Sequence, residues 1–453
     1  MQFHKQKLIL HRASMQRYVK EVLWPTKVEV QYVELDVLMK TGDILDKAKS
    51  FEHIYVFDPV DDVITNRLLR ARRENEHGTA LEFLRSPNFY LKDQEVRDYF
   101  GPKPKHAFAD FYQWQRERFN ILIDEDFKPV GGQWMYDNRP KKLPKQHELP
   151  TFAVFGNNEY VHNASKWVSE HFPNNPGNVD FIWPTNQVEA ETWLEHFVEH
   201  RLDDFEPYID AIDGQAAWLY HSALSSSLNI GLLSPQTVIE TVMKRHRKRP
   251  LPLESLESFI RQILGWREYM RGLYVNQHQT MRASNNFKHS RKLTVDWYQG
   301  NLGLPPFDDM VKKLQGHAYA HHQERLMIAG NLMVLCEIQP DDMQRWFKEL
   351  FVDAYDWVSL PNVYNLSQFA TSGSGVEACI AASNYLLEIS NYERGEWCNI
   401  WDGLFWRFIE KHRQEISHNP RMRVMVQRLD RLGADHKRII SYRAEDFLTK
   451  YTR

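Results

Sequence analysis

Apolar residues recur along this chain with two different periods, and the change of period divides it. The opening "HKQKLILHRASMQRYVKEVL" spaces its apolar residues for one face of an amphipathic helix. Two short runs follow, "KVEVQYVEL" (27–35) and "HIYVFDP" (53–59), which alternate apolar and polar positions as strands do. Strands interleaved with helices predict a parallel α/β layer, and because a helix comes first the sheet is expected to lack its usual opening strand. From 127 to 186 Pro, Gly and Asn accumulate, in "KPVGGQWMYDNRPKKLPKQHELP" and "HFPNNPGN", predicting a long connector over the surface. From 187 onward strand signals vanish. There "ESFIRQILGWREYMRGLY" sets Phe259, Ile263, Trp266, Met270 and Leu273 at helical spacing. No internal repeat is visible. The expected architecture is an α/β domain over 1–126, a linker over 127–186 and an all-α domain over 187–453.

Length agrees with two domains, since 453 residues exceed the roughly 250–300 that one core usually serves. No run of about 18 uncharged apolar residues occurs, and "MQFHKQKLIL" has no signal-like apolar stretch, so a cytoplasmic protein without membrane association is expected. Only Cys336, Cys379 and Cys398 are present, too scattered for a disulfide framework or a CxxC metal site. The net charge of −3 argues against a generic polyanion binder. It hides an asymmetry, however: Lys411 to Arg453 holds eleven Lys and Arg against five Asp and Glu, and "KRHRKR" spans 244–249. Such runs are more often solvated helix faces than binding sites, so they are compatible with nucleic acid without establishing it. Fourteen Trp, twenty Tyr and twenty-five Phe suit a helical core that also stacks on a flat partner.

Candidate chemistry sits in four stretches. "WLYHSALSSSLNIGLLSP" (218–235) gathers Ser222, Ser225, Ser226 and Ser227 at a turn into a helix, where hydroxyls and free backbone N–H groups suit a phosphate. N-capping and small-residue packing explain the same serines equally well. "FIRQILGWREYMRG" places Arg267 and Glu268 beside Trp266, with Arg271 one turn on. "FVDAYDWVSLPNVYNLSQFA" (351–370) carries Asp353, Asp356, Asn362, Asn365 and Gln368 among aromatics, as a lined cavity would. Arg325 is a candidate partner for Asp353, since a buried carboxylate needs one. The fourth, "GHAYAHHQERLMIAGN" (316–331), holds His317, His321 and His322. No Asp, Glu or Cys nearby completes a zinc set with His317 and His321, so no metal is expected and acid–base work is the better reading.

Together these stretches resemble the cryptochrome/photolyase family, and within it the bacterial branch related to iron–sulfur (6-4) photolyases. The most specific are "YHSALSSSLNIGLLSP", "FIRQILGWREYMRGLY", "HAYAHHQERLMIAGN" and "VDAYDWVSLPNVYNLSQFA", in family order, with "HKQKLILHRASM" near the N-terminus. The resemblance implies FAD, folded into a U within the helical domain. It puts His221, Ser222, Leu224 and Ser225 at the flavin's phosphates and Arg325 with Asp353 beside the ribityl chain and isoalloxazine. Gln262, Trp266, Arg267, Glu268, Ser359 and Asn362 then line the pocket. Trp266 is the stacking platform for a flipped-out lesion, and the basic segments hold the phosphates of ultraviolet-damaged DNA. Trp346, with Phe347 and Tyr298, matches the aromatic chain that conducts electrons to the flavin.

Three departures qualify that resemblance. Of the four cysteines that would hold a cluster only Cys398 has a counterpart; Pro306, Glu393 and a gap stand at the others, so no iron–sulfur cluster is expected. Nothing before "HKQKLIL" supplies the strand and Gly-Asp-Gln turn that help bind a lumazine antenna, so weak or no antenna binding is expected. Ser359 stands where the branch has a glutamate near the flavin N5, and Cys379 where it has a tyrosine facing the lesion. The expected function is light-driven repair of (6-4) photoproducts by a monomeric bacterial photolyase, a carbon–carbon lyase, with His321 and His322 as candidate proton donors. Cyclobutane dimer repair and a cryptochrome-type photoreceptor without repair are the alternatives.

Overall fold

The computed structural model describes residues 1–34, 42–48, 50–74, 80–101, 107–136, 141–144, 148–151, 153–368, 380–417 and 420–453. Its sheet is small. Strand β1, His53–Phe57, pairs in parallel with strand β2, Ala80–Leu84, in the register His53 to Ala80 through Phe57 to Leu84. Helix Asp62–Glu74 makes the crossover between them, as parallel pairing requires. Thus "HIYVFDP" is a strand as expected. "ALEFL" was not foreseen as its partner because it lacks β-branched residues.

The run at 27–35 is a correction. Residues 27–34 form no strand, because alternation creates a strand only where a neighbour takes up its hydrogen bonds. The segment is tethered instead to the first helix, where Arg12 donates to Glu34 at 2.6 Å. The connector also differs from expectation, since it contains helix Glu159–His171. Asn158 caps that helix by accepting the Val161 N–H at 3.0 Å. Tyr160, Val161, Ala164 and Val168 form its buried face.

Among the described residues beyond 187 the regular elements are all helical, and no helix is long and apolar enough to cross a membrane. Two hydrophobic clusters organise this part. One gathers Met343, Trp346, Phe347, Trp357 and Trp401 with the later helices. The other joins Leu224, Phe259 and Leu264 to Trp183, Trp193 and Phe197, and it also takes in Ile9, Leu10 and Ala13. Helix Lys5–Tyr18 therefore packs against helical elements rather than on the sheet. A cavity opens along the seam between the two clusters, with Leu228, Phe259 and Tyr319 on one side and Met343, Phe347 and Trp357 on the other.

Candidate functional site

Three of the cavity walls are built on wide π-type turns, Arg261–Trp266, Glu324–Gly330 and Asn362–Ser367. Such turns slip the hydrogen-bond register by one residue and turn extra side chains onto one face, which is why they cluster at functional sites. Here they deliver Gln262 and Trp266, Arg325, and Asn362 with Ser367 to one cavity of about 390 Å³. The third follows Pro361, whose missing N–H already loosens the helix. Two left-handed residues shape the rest: Ala318 (φ 54°) ends helix Pro305–His317, and Ala223 (φ 50°) turns the chain between Ser222 and Leu224. A non-glycine residue held there stores strain that the surrounding packing must support.

The polar wall centres on Asp353. Its carboxylate receives both arms of Arg325 at 3.0 and 2.9 Å and the Ser225 hydroxyl at 2.5 Å. Burial alone would raise its pKa, but Arg325 and Ser225 outweigh that and hold it below the usual carboxylate range. Ser222 and Leu224 also line the cavity, whereas Ser226 and Ser227 are buried behind it. Arg267 reaches Asn229 and lies over the Trp357 ring at 4.7 Å; burial lowers its pKa to about 10. Trp266 stands edge-on to Phe108 at 5.2 Å. Ser359 donates to the Tyr355 carbonyl at 2.9 Å and accepts from Gln344 at 2.8 Å. Asn362 donates to the Val358 carbonyl at 2.7 Å.

One expected lining residue is elsewhere. Glu268 does not line the cavity; its buried carboxylate accepts the Tyr90 N–H at 2.6 Å and lies 3.9 Å from Arg271. Adjacent helix positions diverge by about 100°, so Arg267 and Glu268 cannot share one wall. Conversely, Phe205, Asn229, Tyr319 and Trp357 line the cavity and were not singled out from sequence. Trp357 had a visible signal, an aromatic one turn past Asp353 in the same polar–aromatic stretch.

The histidines separate by burial. His321 is 1% exposed and stacks on His221, with ring centroids 4.3 Å apart and planes 13° apart. Burial first, then the neighbouring His221 and His322, drive the His321 pKa well down, so it is neutral. His322 lines the cavity with its side chain 51% exposed, and its Nε2 is 3.3 Å from Asp210. The ligand atoms of all three rings fall within 4.8 Å of one another. The stacked His221 and His321 rings direct their in-plane lone pairs side by side, while His322 stands nearly perpendicular to both; contrary to expectation a carboxylate is near, Glu324 lying 3.5 Å from His321 Nε2. His317 lies apart, beside Trp218 at 5.2 Å.

Behind the apolar wall runs an aromatic series. Phe347 faces the cavity and meets Trp346 at 5.2 Å; Trp346 meets Phe307 at 6.1 Å, and Phe307 meets Trp297 at 5.0 Å. Trp297 and Phe307 were missed in the sequence. Tyr298, adjacent to Trp297, donates to Glu349 at 2.9 Å. Cys398 is buried in helix Glu396–Lys411, and Cys379 lies outside the described residues. In the basic segment Arg245 is buried against Glu199, while Lys244, Arg247, Lys248 and Arg249 are exposed.

Residues 1–183 match the family described as deoxyribodipyrimidine photo-lyase-related protein, and residues 259–390 match the FAD binding domain of DNA photolyase. A (6-4) photolyase of Agrobacterium fabrum is 29% identical over 99% of this chain and 91% of its own length. The chain belongs to the cryptochrome/photolyase family. Solved members of that family share its fold. A bacterial class III photolyase from Agrobacterium tumefaciens superposes with a TM-score of 0.54 at 17% identity, covering 99% of this chain and 89% of that one. A cryptochrome from Synechocystis sp. PCC6803 gives 0.52 at 12% identity, over 99% and 88%. For a family member the cavity also fits a flavin dinucleotide. Hydroxyls and arginines stand on one wall and flat aromatics on the other, and the nearly buried His221 leaves its Nε2 without a partner.

Proposed function

We propose that this chain binds FAD in the seam cavity and repairs ultraviolet-damaged DNA in light, with the (6-4) photoproduct as substrate. When bound, reduced FAD supplies blue-light absorption and a single electron. The observation that carries the reading is His322: of the paired histidines it alone lines the cavity, and Asp210 fixes its ring. An imidazole so placed can hand a proton to a base lying in the cavity mouth. His321 acts from behind, stacked under His221. Trp266 offers a stacking face to an unstacked base, and Lys244, Arg247 and Lys248 at the end of helix Pro235–Lys248 offer charge to DNA phosphates. The series Phe347–Trp346 with Tyr298 conducts electrons toward the cavity.

A photorepair assay on purified, FAD-loaded protein with (6-4) and cyclobutane lesions tests this. His322→Asn is expected to lower (6-4) repair by about 10²–10⁴-fold while FAD stays bound. Restoration of cyclobutane dimers alone would move the assignment to that lesion. A second reading, a photoreceptor without repair, draws on Ser359: both its hydrogen-bonding roles are taken up locally, and no ionisable group stands there. Repair of neither lesion would overturn the lyase assignment and favour this reading. No iron–sulfur cluster is proposed, since of the described cysteines only Cys398 stands at a cluster position and Pro306 and Glu393 cannot supply thiolates. Stoichiometric iron and sulfide in the purified protein would refute that.

A further inference from the structure

Helix Lys5–Tyr18 carries a buried cation that no feature of the cavity itself explains. Lys7 is 5% exposed, and its ammonium donates to the carbonyls of Lys348 at 3.2 Å, Phe351 at 3.3 Å and Ala354 at 2.6 Å. These carbonyls bracket one turn, residues 351–355, which joins helix Pro340–Leu350 to helix Asp356–Pro361. The last carbonyls of a helix have no partner within it, and burial makes an unpartnered one costly. A cation at a helix C-terminus meets both demands. The same turn holds Asp353 against Arg325 and Ser225, and its Asp353 and Ala354 line the cavity. Phe3 and Tyr355 close over the ammonium at 5.3 and 4.8 Å, and the Tyr355 hydroxyl is 2.8 Å from His11 Nε2 on the same helix.

We propose that Lys7 is a positioning residue for the cofactor: it gathers the backbone of the Asp353 turn, so that the N-terminal helix sets the geometry of the polar wall from behind. This rests on the cavity being the FAD site. Lys7 does not itself line the cavity; it acts through the carbonyl of Ala354, which does, and through the carboxylate one residue before it. Helix Lys5–Tyr18 is held in register for this by three further contacts. The Gln2 N–H reaches the Glu349 carboxylate at 2.9 Å, the His4 N–H reaches the Glu349 carbonyl at 2.7 Å, and the Gln6 side chain reaches the Gly316 carbonyl at 2.6 Å.

The grip is also pH-dependent. Burial first, then Lys348, lower the Lys7 pKa to about 7 against the pull of Asp353. The charged or titratable groups facing it are Lys348 from helix Pro340–Leu350, Asp353 and Tyr355 from the turn, and His11 from its own helix. His11 is held neutral by burial, with a pKa of about 4. Below pH 7 Lys7 has three protons for three carbonyls. Above it one is lost and one carbonyl is released.

Flavin fluorescence titration of the full chain with FAD, well below its melting temperature and with folding checked by circular dichroism, tests the proposal. Lys7→Met is expected to raise the FAD Kd about tenfold, the loss of one buried charged hydrogen-bond set. Lys5→Met, on the same helix, should leave it unchanged. Wild-type Kd should rise about threefold from pH 6 to pH 9, and Lys7→Met should abolish that dependence. A folded Lys7→Met protein with wild-type Kd would overturn the brace, and a wild-type Kd flat across that pH range would overturn its pH dependence. Should Lys7→Met not fold, Lys7→Arg, which keeps the charge but cannot place three N–H groups on the same three carbonyls, decides it: a folded Lys7→Arg protein with wild-type Kd and unchanged amide hydrogen exchange at 351–355 would overturn the brace. Wild-type protein that takes up no FAD would defeat the cofactor reading instead, a separate result.

Discussion

The two-stranded sheet and the helical seam are both apolar in sequence, yet they use that apolarity oppositely. On β1 the outward positions Tyr55 and Phe57 remain 57% and 60% exposed, and in helix Asp62–Glu74 only Leu68 is buried. Around the cavity, Trp346, Leu350 and Phe351 are fully buried, and polar side chains are buried with their partners. Parallel strands are normally covered on both faces. Here the sheet's exposed ring faces contribute little, and the seam between two clusters carries both the stability and the site. A cavity survives between two packed clusters because each is rigid on its own side; one continuous core would close it.

Substitutions that should widen or close this contrast can be ranked. Trp346→Ala removes a fully buried indole and is expected to cost about 3–5 kcal/mol, read as a fall in the urea midpoint. Trp346→Phe should keep most of that stability and slow flavin photoreduction. Asp353→Asn leaves Arg325 without its carboxylate and should cost about 3 kcal/mol, with loss of bound FAD. Its pH counterpart has a definite sign. A carboxylate whose folded pKa is depressed adds stability above its ordinary titration range and loses it as pH falls through the folded value. Acid titration should therefore release stability in wild type below about pH 4 and less in Asp353→Asn. Ser225→Ala removes one hydrogen bond to a charged group, about 1.5–3 kcal/mol, seen in the same unfolding curves. Tyr55→Ser, on the sheet, should stay within about 0.5 kcal/mol. A large loss there would mean that the sheet face is covered in solution.

Much of the site could be read in advance, because its residue types are uncommon together. The Arg325–Asp353 pair, the Ser222–Ser225 turn, Trp266 and Asn362 all meet at one cavity. Errors arose where sequence proximity stood in for direction. Glu268 and Arg267 are adjacent in sequence yet point to different walls because neighbouring helix positions diverge, and of the adjacent histidines His321 is buried while His322 lines the cavity. At 27–34 the alternation was real but had no partner strand among the described residues. Within 127–186 the Pro- and Asn-rich flanks masked the face that Tyr160, Val161, Ala164 and Val168 make.

By itself the sequence determined the helical class of the chain beyond 187, the family resemblance and the chemistry available to a flavin, because period, composition and motif are local properties. Tertiary structure alone decided which histidine faces the cavity, where the π-type turns redirect side chains, and that Lys7 reaches a turn more than 340 positions away. Those depend on burial and long-range hydrogen bonding, which no local pattern encodes.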